Sequence, residues 1–458
     1  EYHVTTFGAP AAHPLKFKGG GLWHLQIEFD EKLKAMEKAK RKEQKHPQKQ
    51  PQQSQQLHLQ QLQLLEQQLA PEYITTGSEG EWSEREEESR RKKGKESRVR
   101  EEKEKMRKVR GKVQAISALD LHYQLVRRKD ICFSQILPAV ATCVHQLIIL
   151  NRSKPEILTQ YIQIGLLLHF ESLLSTYQAE LGMLADYEIA IRNFVPNLVF
   201  RFVVDKSDGK NEELGLEWVK GKGREGVFSE LLGGGNDEFL SDFRFFSSRY
   251  DHESLLVTLP IPPKFYKPMQ PILEGKTISV IPTFFTQGIN EQQSFANRLG
   301  GTTMQERINR DSVNILAIYF DKFRVRGNLR EREEGELEEL FAELMKIVKI
   351  SRREKNVRIL SLSADIARKM NGGRLTSCKS AKDRTSMSVT WEQARLLSTN
   401  HCLAPDAVDD VLTVMRSAGV RRENAYKNIG KNKFAFNVLQ LRMIPNVYRA
   451  PKGSGGAE

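Results

Sequence analysis

Arg374-Leu-Thr-Ser-Cys-Lys-Ser-Ala-Lys-Asp-Arg-Thr385 places five residues between Cys378 and Arg384. Asn371-Gly372-Gly373 just before the string is a turn signal. After it, Met387, Trp391, Ala394 and Leu397 recur at spacings of four, three and three, which predicts one face of a helix. The order is a short strand, a tight loop and a helix. Such a loop can turn its backbone N–H groups around one tetrahedral anion, with the cysteine at its base. Arg384 would close over that anion, because a guanidinium fork binds two phosphate oxygens at once. The N-terminus of the helix adds partial positive charge and free donors. The same field favours the thiolate of Cys378, which is the nucleophilic form.

A cysteine and an arginine at this spacing often occur by chance, and a buried core cysteine is the plain alternative. The neighbours argue against it. Lys379 and Lys382 bring the cationic charge a multiply phosphorylated substrate needs, and Ser380 and Ala381 complete the cradle. Asp383 and the hydroxyl of Thr385 offer a proton donor and a partner for the thiolate.

The string Cys378-Lys-Ser-Ala-Lys-Asp-Arg-Thr385 resembles the active-site signature of the inositol polyphosphate 4-phosphatases. Gly288-Ile-Asn-Glu-Gln-Gln293 and Met304-Gln-Glu-Arg-Ile-Asn309 resemble a second family block. Arg421-Arg-Glu-Asn424, Lys427-Asn-Ile-Gly430 and Phe434-Ala-Phe-Asn437 to Leu441 resemble its C-terminal end. The likeness is clear from about Ile278 to Pro451 and looser from about Ile116. Upstream, only Thr5 to Leu22 shares it. The resemblance implies removal of the 4-phosphate of phosphatidylinositol 3,4-bisphosphate without a metal or other cofactor. It makes Cys378 the nucleophile and Arg384 the transition-state clamp. Thr385 would assist hydrolysis of the cysteinyl-phosphate, and Lys379 and Lys382 would read the ring phosphates. A general acid must protonate the leaving oxygen and later activate water. Asp383 is the first choice. Asp365 is the second candidate, with a helix cap or a surface charge as its simpler reading.

A net charge of +13 across 458 residues and a sequence pI near 9.4 suggest an acidic partner, either nucleic acid or an anionic membrane. No zinc-finger spacing and no aromatic RNA-binding motif is present, which argues against nucleic acid. The partner expected is a phosphoinositide in an anionic membrane surface, met by a cytoplasmic, peripherally bound enzyme. Cys132, Cys143, Cys378 and Cys402 show no paired spacing and fit a reducing compartment. Ile136 to Leu150 and Ile157 to Leu174 are interrupted by polar residues and read as buried helices, not membrane spans. No signal peptide is visible. The sequence starts at Glu1 and reads as a fragment or partial gene product, without the C2 domain that the resemblance would add.

Composition divides the chain further. Glu1 to Asp30 has the mix of an ordered segment. Residues 31–110 are Gln-rich, then charge-dense, and predict disorder or low-complexity helix. Arg90-Arg-Lys-Lys-Gly-Lys95 within them is a solvated charge run or a lipid-binding or nuclear signal. Residues 111–195 predict a helical region, with Leu166-Leu-Leu168 and Leu173-Leu174 continuing its pattern. Residues 196–451 predict an α/β catalytic domain, and 452–458 a tail. Leu198 to Val204, Leu255 to Leu259, Ile278 to Ile281 and Val357 to Leu362 read as strands. Asp208 to Asp237 reads as an inserted loop. Val313 to Phe323 and Leu337 to Ser351 read as further regular elements. Pro405 opens a helix that Gly419 ends. The basic stretch from Arg421 to Lys433 either lines the site or forms a surface paired to Glu423. Asn290, Glu291 and Gln292 either orient the loop or cap the next helix. The expected fold is α/β, with a cysteine-phosphatase-like catalytic domain after an α-helical region. The alternatives kept are the same chemistry on another phosphoinositide, a soluble inositol phosphate or a phosphoprotein, and a non-enzymatic membrane scaffold.

Overall fold

A computed structural model describes residues 3–9, 21–45, 95–205, 215–219, 254–326, 330–351, 353–417 and parts of 422–454. The chain forms two compact units, Glu1–Trp23 joined to Arg128–Glu458, and His24–Arg127. The second is built from parts of two helices, α1 (Gly21–Lys45) and α2 (Lys95–Leu150), and holds the Phe29–His122 ring contact at 5.6 Å.

The first unit carries a seven-stranded sheet. Its strands are β1 (Val4–Gly8), β2 (Leu166–Ser172), β3 (Leu198–Val204), β4 (Gly215–Val219), β5 (Ser254–Ile261), β6 (Thr277–Thr286) and β7 (Gly373–Cys378). They lie in the order β1-β7-β2-β6-β3-β5-β4. The first four in that order are parallel to one another; β3 meets β6 antiparallel. All seven residues of β2 are buried. Leu167 and Ile281 face a core shared with α6 (Thr303–Arg326), α7 (Glu331–Ile350) and α8 (Arg358–Lys369). Phe170 and Phe284 face the other way, onto Tyr187 of α4 (Ala179–Ile189). Between α2 and α4 in the chain lies α3 (Pro155–Ile164). Helices therefore cover both faces, as a buried parallel sheet requires.

Helix α2 approaches β7 closely at Gly373. A Cβ there would lie 2.5 Å from the Leu147 Cδ1 and 2.8 Å from the Cys143 Sγ, so a larger residue would have to push these side chains aside. By length and composition Asp120–Leu150 could cross a membrane. Its Cys132, Ile136, Val140, Cys143 and Val144 are nonetheless buried against the protein.

Several expectations are corrected. The predicted helical region 111–195 contains β2, a central strand, at Leu166–Ser172. A strand buried on both faces is a continuous apolar run, which periodicity cannot separate from a buried helix. Conversely, the predicted strand Val357 to Leu362 is the start of α8, whose Ile359, Leu362, Ser363 and Ile366 recur on one buried face. The supposed loop 208–237 holds β4, which pairs with β5; Gly233-Gly234-Gly235 lies outside the described residues. Of the segment 31–110, read as disorder or low-complexity helix, residues 31–45 belong to α1 and 95–110 to α2, which is the helical alternative, while Arg90 to Arg91 and their neighbours lie outside the described residues. The helix after Pro405 is α10 (Val408–Ser417), preceded by a 3-10 turn, and Gly419 lies outside the described residues. The four cysteines are all free thiols.

Candidate functional site

Strand β7 ends at Cys378, and α9 (Asp383–Asn400) begins five residues later. Met387 and Ala394 of α9 are buried and Trp391 packs at the edge of the same core, which fixes the helix and so the loop before it. Ala381 takes φ of +50°, the left-handed turn that reverses the loop. The far side of the loop is held by β1, because the Ala9 N–H donates to the carbonyls of Cys378 (2.9 Å) and Lys379 (3.3 Å). Carbonyls are thus directed outward to β1. Among the described residues, the N–H groups of Lys379, Ser380, Ala381 and Lys382 meet no acceptor.

Cys378 is buried, and the Thr385 hydroxyl donates to its sulfur at 3.1 Å. Arg384 lies in the first turn of α9. Its Nη1 donates to Glu180 Oε2 (2.9 Å) and to the Leu173 carbonyl (3.0 Å), and its Nη2 to Glu180 Oε1 (2.6 Å). Three of the five guanidinium donors are engaged in this way. Among the described residues, the Nε–H and the outer Nη2–H meet no acceptor and remain as one side-on fork. Burial alone would pull the Arg384 pKa down, but the charges of Glu180 and Cys378 outweigh it and hold the cation firmly. Burial likewise pushes Glu180 up, and Arg384 and the Ser175 N–H and hydroxyl overcome it, so the carboxylate stays ionised below its usual range.

Glu180 is the residue that sequence reading missed. It contacts Arg384 across 204 positions of sequence, and a single acid in an apolar stretch carries no local mark. Its seat is built from several pieces. Ser175 donates from N (2.8 Å) and Oγ (2.9 Å), and Asn290 Nδ2 donates at 3.3 Å. Asn290 also caps α5 (Glu291–Leu299) by accepting from Gln293 N–H, so the capping reading holds, and its other side-chain bond goes to Glu180 rather than to the loop. Gln292 reaches Ser175, and Gln293 accepts from the Thr176 N–H. Glu291 accepts from Gln440. From the Met304 block, Gln305 accepts from Gly288 N–H at 3.4 Å, and Asn309 bonds both polar groups of the Thr286 backbone. Helix α4 itself is pinned by Arg128 on Asp186 (2.8 Å) and Arg307 on Glu188 (2.7 Å).

The two carboxylate candidates separate. Asp383 sits in the loop-to-helix turn beside Arg384 and is partly exposed. Asp365 lies on α8 with both oxygens bonded to Arg368 and Arg395, at 2.7–2.8 Å. It is neither a cap nor a loose surface charge but part of an arginine network. Lys379 and Lys382 are exposed on the loop. Lys427, Lys431 and Lys433 are also exposed, whereas Phe434 is buried. Arg422 donates to the Ser417 and Asn432 carbonyls, and Arg421 and Asn424 lie outside the described residues. Among the described residues no group of three His, Cys, Asp or Glu side chains could hold a metal ion.

Fold and site define a mixed α/β protein with a tight loop at the C-terminal end of a buried strand, where the Thr385 hydroxyl meets Cys378 and Arg384 follows in the first turn of the next helix. A family model described as the INPP4A C-terminal domain matches residues 31–222 and 237–448. The chain is 35% identical over 336 residues to the human inositol polyphosphate 4-phosphatase type II, covering 72% of this chain and 33% of that protein. The type II inositol 3,4-bisphosphate 4-phosphatase of Pongo abelii gives the same identity and coverage, and that of Rattus norvegicus is 35% identical over 72% of this chain and 32% of its own length. The chain belongs to the inositol polyphosphate 4-phosphatase family. It spans about a third of the length of the curated relatives it matches.

Proposed function

We propose that this chain is a phosphoinositide phosphatase that hydrolyses the 4-phosphate of phosphatidylinositol 3,4-bisphosphate through a cysteinyl-phosphate. The observation that carries the reading is the convergence of Cys378, Thr385 and Arg384 around loop N–H groups that have no acceptor among the described residues. The relatives' names support the choice of the 4-phosphate.

The Cys378 thiolate attacks phosphorus as the bond to the inositol oxygen breaks. The loop N–H groups and the open edge of Arg384 hold the equatorial oxygens as charge builds there. Asp383 gives its proton to the leaving oxygen. Water then attacks the thiophosphate, Asp383 takes up the water's proton, and the sulfur leaves as thiolate stabilised by the Thr385 hydroxyl. Lys379 and Lys382 meet the remaining ring phosphate, and Ser380 and Ala381 supply backbone to the cradle. Enzyme action is expected at the cytoplasmic face of an anionic membrane.

The test is phosphate release from short-chain phosphatidylinositol 3,4-bisphosphate in the presence of a chelator, with wild type and Cys378→Ser. Release by wild type alone, with the 3-phosphate kept, is expected. Equal release by Cys378→Ser overturns the cysteine mechanism. Release only from other phosphoinositides, soluble inositol phosphates or phosphopeptides keeps that mechanism and overturns the substrate.

A further inference from the structure

The segment that seats Arg384 continues directly into an exposed apolar patch. Leu173 gives Arg384 its carbonyl, and Tyr177 follows four residues later. Leu181 is next to Glu180 and is 39% exposed. Across from them, α5 presents Phe295 and Leu299, one helical turn apart and 43% and 73% exposed. The Tyr177 and Phe295 rings sit 5.9 Å apart, so the two segments form one surface. The end of α5 packs against the same stretch, for a Cβ on Gly301 would lie 3.4 Å from the Thr176 carbonyl.

This apolar surface has a cationic border. Arg298 is exposed on α5, between the patch and the helix end. The Arg353 guanidinium lies over Gly300, where a Cβ would be 3.4 Å from Nη2, at the C-terminus of α5 that favours positive charge. Lys379 and Lys382 are exposed on the neighbouring loop. A soluble surface gains nothing from an outward leucine and phenylalanine set among arginines. A bilayer does, because acyl chains accept the apolar side chains while anionic headgroups pair with the cations.

We propose that Tyr177, Leu181, Phe295 and Leu299, flanked by Arg298 and Arg353, form the surface on which this chain seats on an anionic lipid bilayer. The inference rests on the phosphoinositide reading and deepens it. The patch adjoins the segment that holds Arg384, so insertion brings the loop to headgroup level without extracting the lipid.

The experiment is flotation with phosphatidylcholine vesicles containing about 30% phosphatidylserine and no phosphoinositide, in a Cys378→Ser background so that turnover plays no part. Leu299→Glu is the first variant, since its side chain already faces solvent; Phe295→Ser is the second. Each should reduce the vesicle-bound fraction about tenfold, the scale of losing one inserted large apolar side chain. Hydrolysis of a water-soluble inositol bisphosphate by the same variants with Cys378 restored should stay within about twofold, because neither side chain enters the chemistry. Unchanged flotation by both variants, or no flotation by the parent chain, overturns the surface. A fall in oligomer size with unchanged flotation also overturns it, and assigns the patch to contact between copies. If the parent floats, the variants do not, and no inositol substrate is hydrolysed, the surface stands and the phosphatase reading falls.

Discussion

Arg374 lies at the start of β7 and Arg384 at the start of α9, on either side of the same loop, and their surroundings differ. Arg374 opens β7 and is buried among Glu171 (2.7 Å), Glu392 and the Ser388 hydroxyl (2.8 Å). Glu392 is shared with Arg368, which reaches Asp365, which in turn holds Arg395. Every charge in that chain of contacts answers another. Arg384 has one carboxylate, Glu180, and the Leu173 carbonyl, and among the described residues its Nε–H meets no acceptor. The comparison teaches that a buried arginine is not itself a sign of chemistry. What distinguishes Arg384, to which the proposed mechanism gives the clamp, is an incomplete set of partners among the described residues.

This contrast can be broken experimentally at four points. Arg374→Ala should leave Glu171 and Glu392 buried without their cation and cost about 3–5 kcal/mol of stability, read as a fall in the urea midpoint. Little change there would mean that the network is not what locks β7 to α9. Arg384→Lys should lower kcat about 100- to 1,000-fold, since an ammonium cannot keep Glu180 and offer a second fork together. A loss in stability with kcat retained would invert the assignment of the two arginines. Glu180→Gln should lower kcat about ten- to a hundredfold through misplacement of Arg384. If Gln replaces Glu180 without loss, the two-oxygen grip is not required.

The smallest effect concerns His169, buried in β2 with its Nδ1 unpartnered among the described residues and Ser363 Oγ 3.5 Å from Nε2. Burial pushes its pKa down to about 4, with Arg374 pulling the same way against Glu171 and Asp365. Between there and the ordinary value near 6.5 the unfolded chain binds a proton that the folded chain refuses. The stability is complete above that ordinary value and is lost on acidification, at about 1.4 kcal/mol per pH unit. His169→Gln should flatten this slope in denaturant titrations between those two pH values. An unchanged slope would move the acid sensitivity to the carboxylates of the network.

The loop was legible because its chemistry is local. Cys378, Arg384 and Thr385 lie within one turn of chain, and the face of α9 marks the helix that follows. Strands β3, β5 and β6 were legible from branched apolar runs at their ends. Leu166 to Leu168 was not, because burial on both faces erases alternation. Ile359 to Ile366 was not, because its first apolar residues happen to alternate before the helical spacing shows. Glu180 was hidden for another reason: its meaning depends on an arginine over two hundred positions away, and nothing beside it in sequence hints at that pairing. The polar cluster at Asn290 was visible as a cluster, but its double duty needed the fold.

The bonds from Ala9 to the loop have a consequence for how the molecule is made. Strand β1 pairs in register from Val4 with Arg374 to Gly8 with Cys378, so β1 waits for a strand that follows it far along the chain. Contacts of such long sequence separation form slowly and late, after the costly closure of the intervening chain. Until then β1 lacks the partner that its pairing edge needs. The cradle is completed only as the C-terminal part emerges, so an incomplete chain released from the ribosome has no working loop.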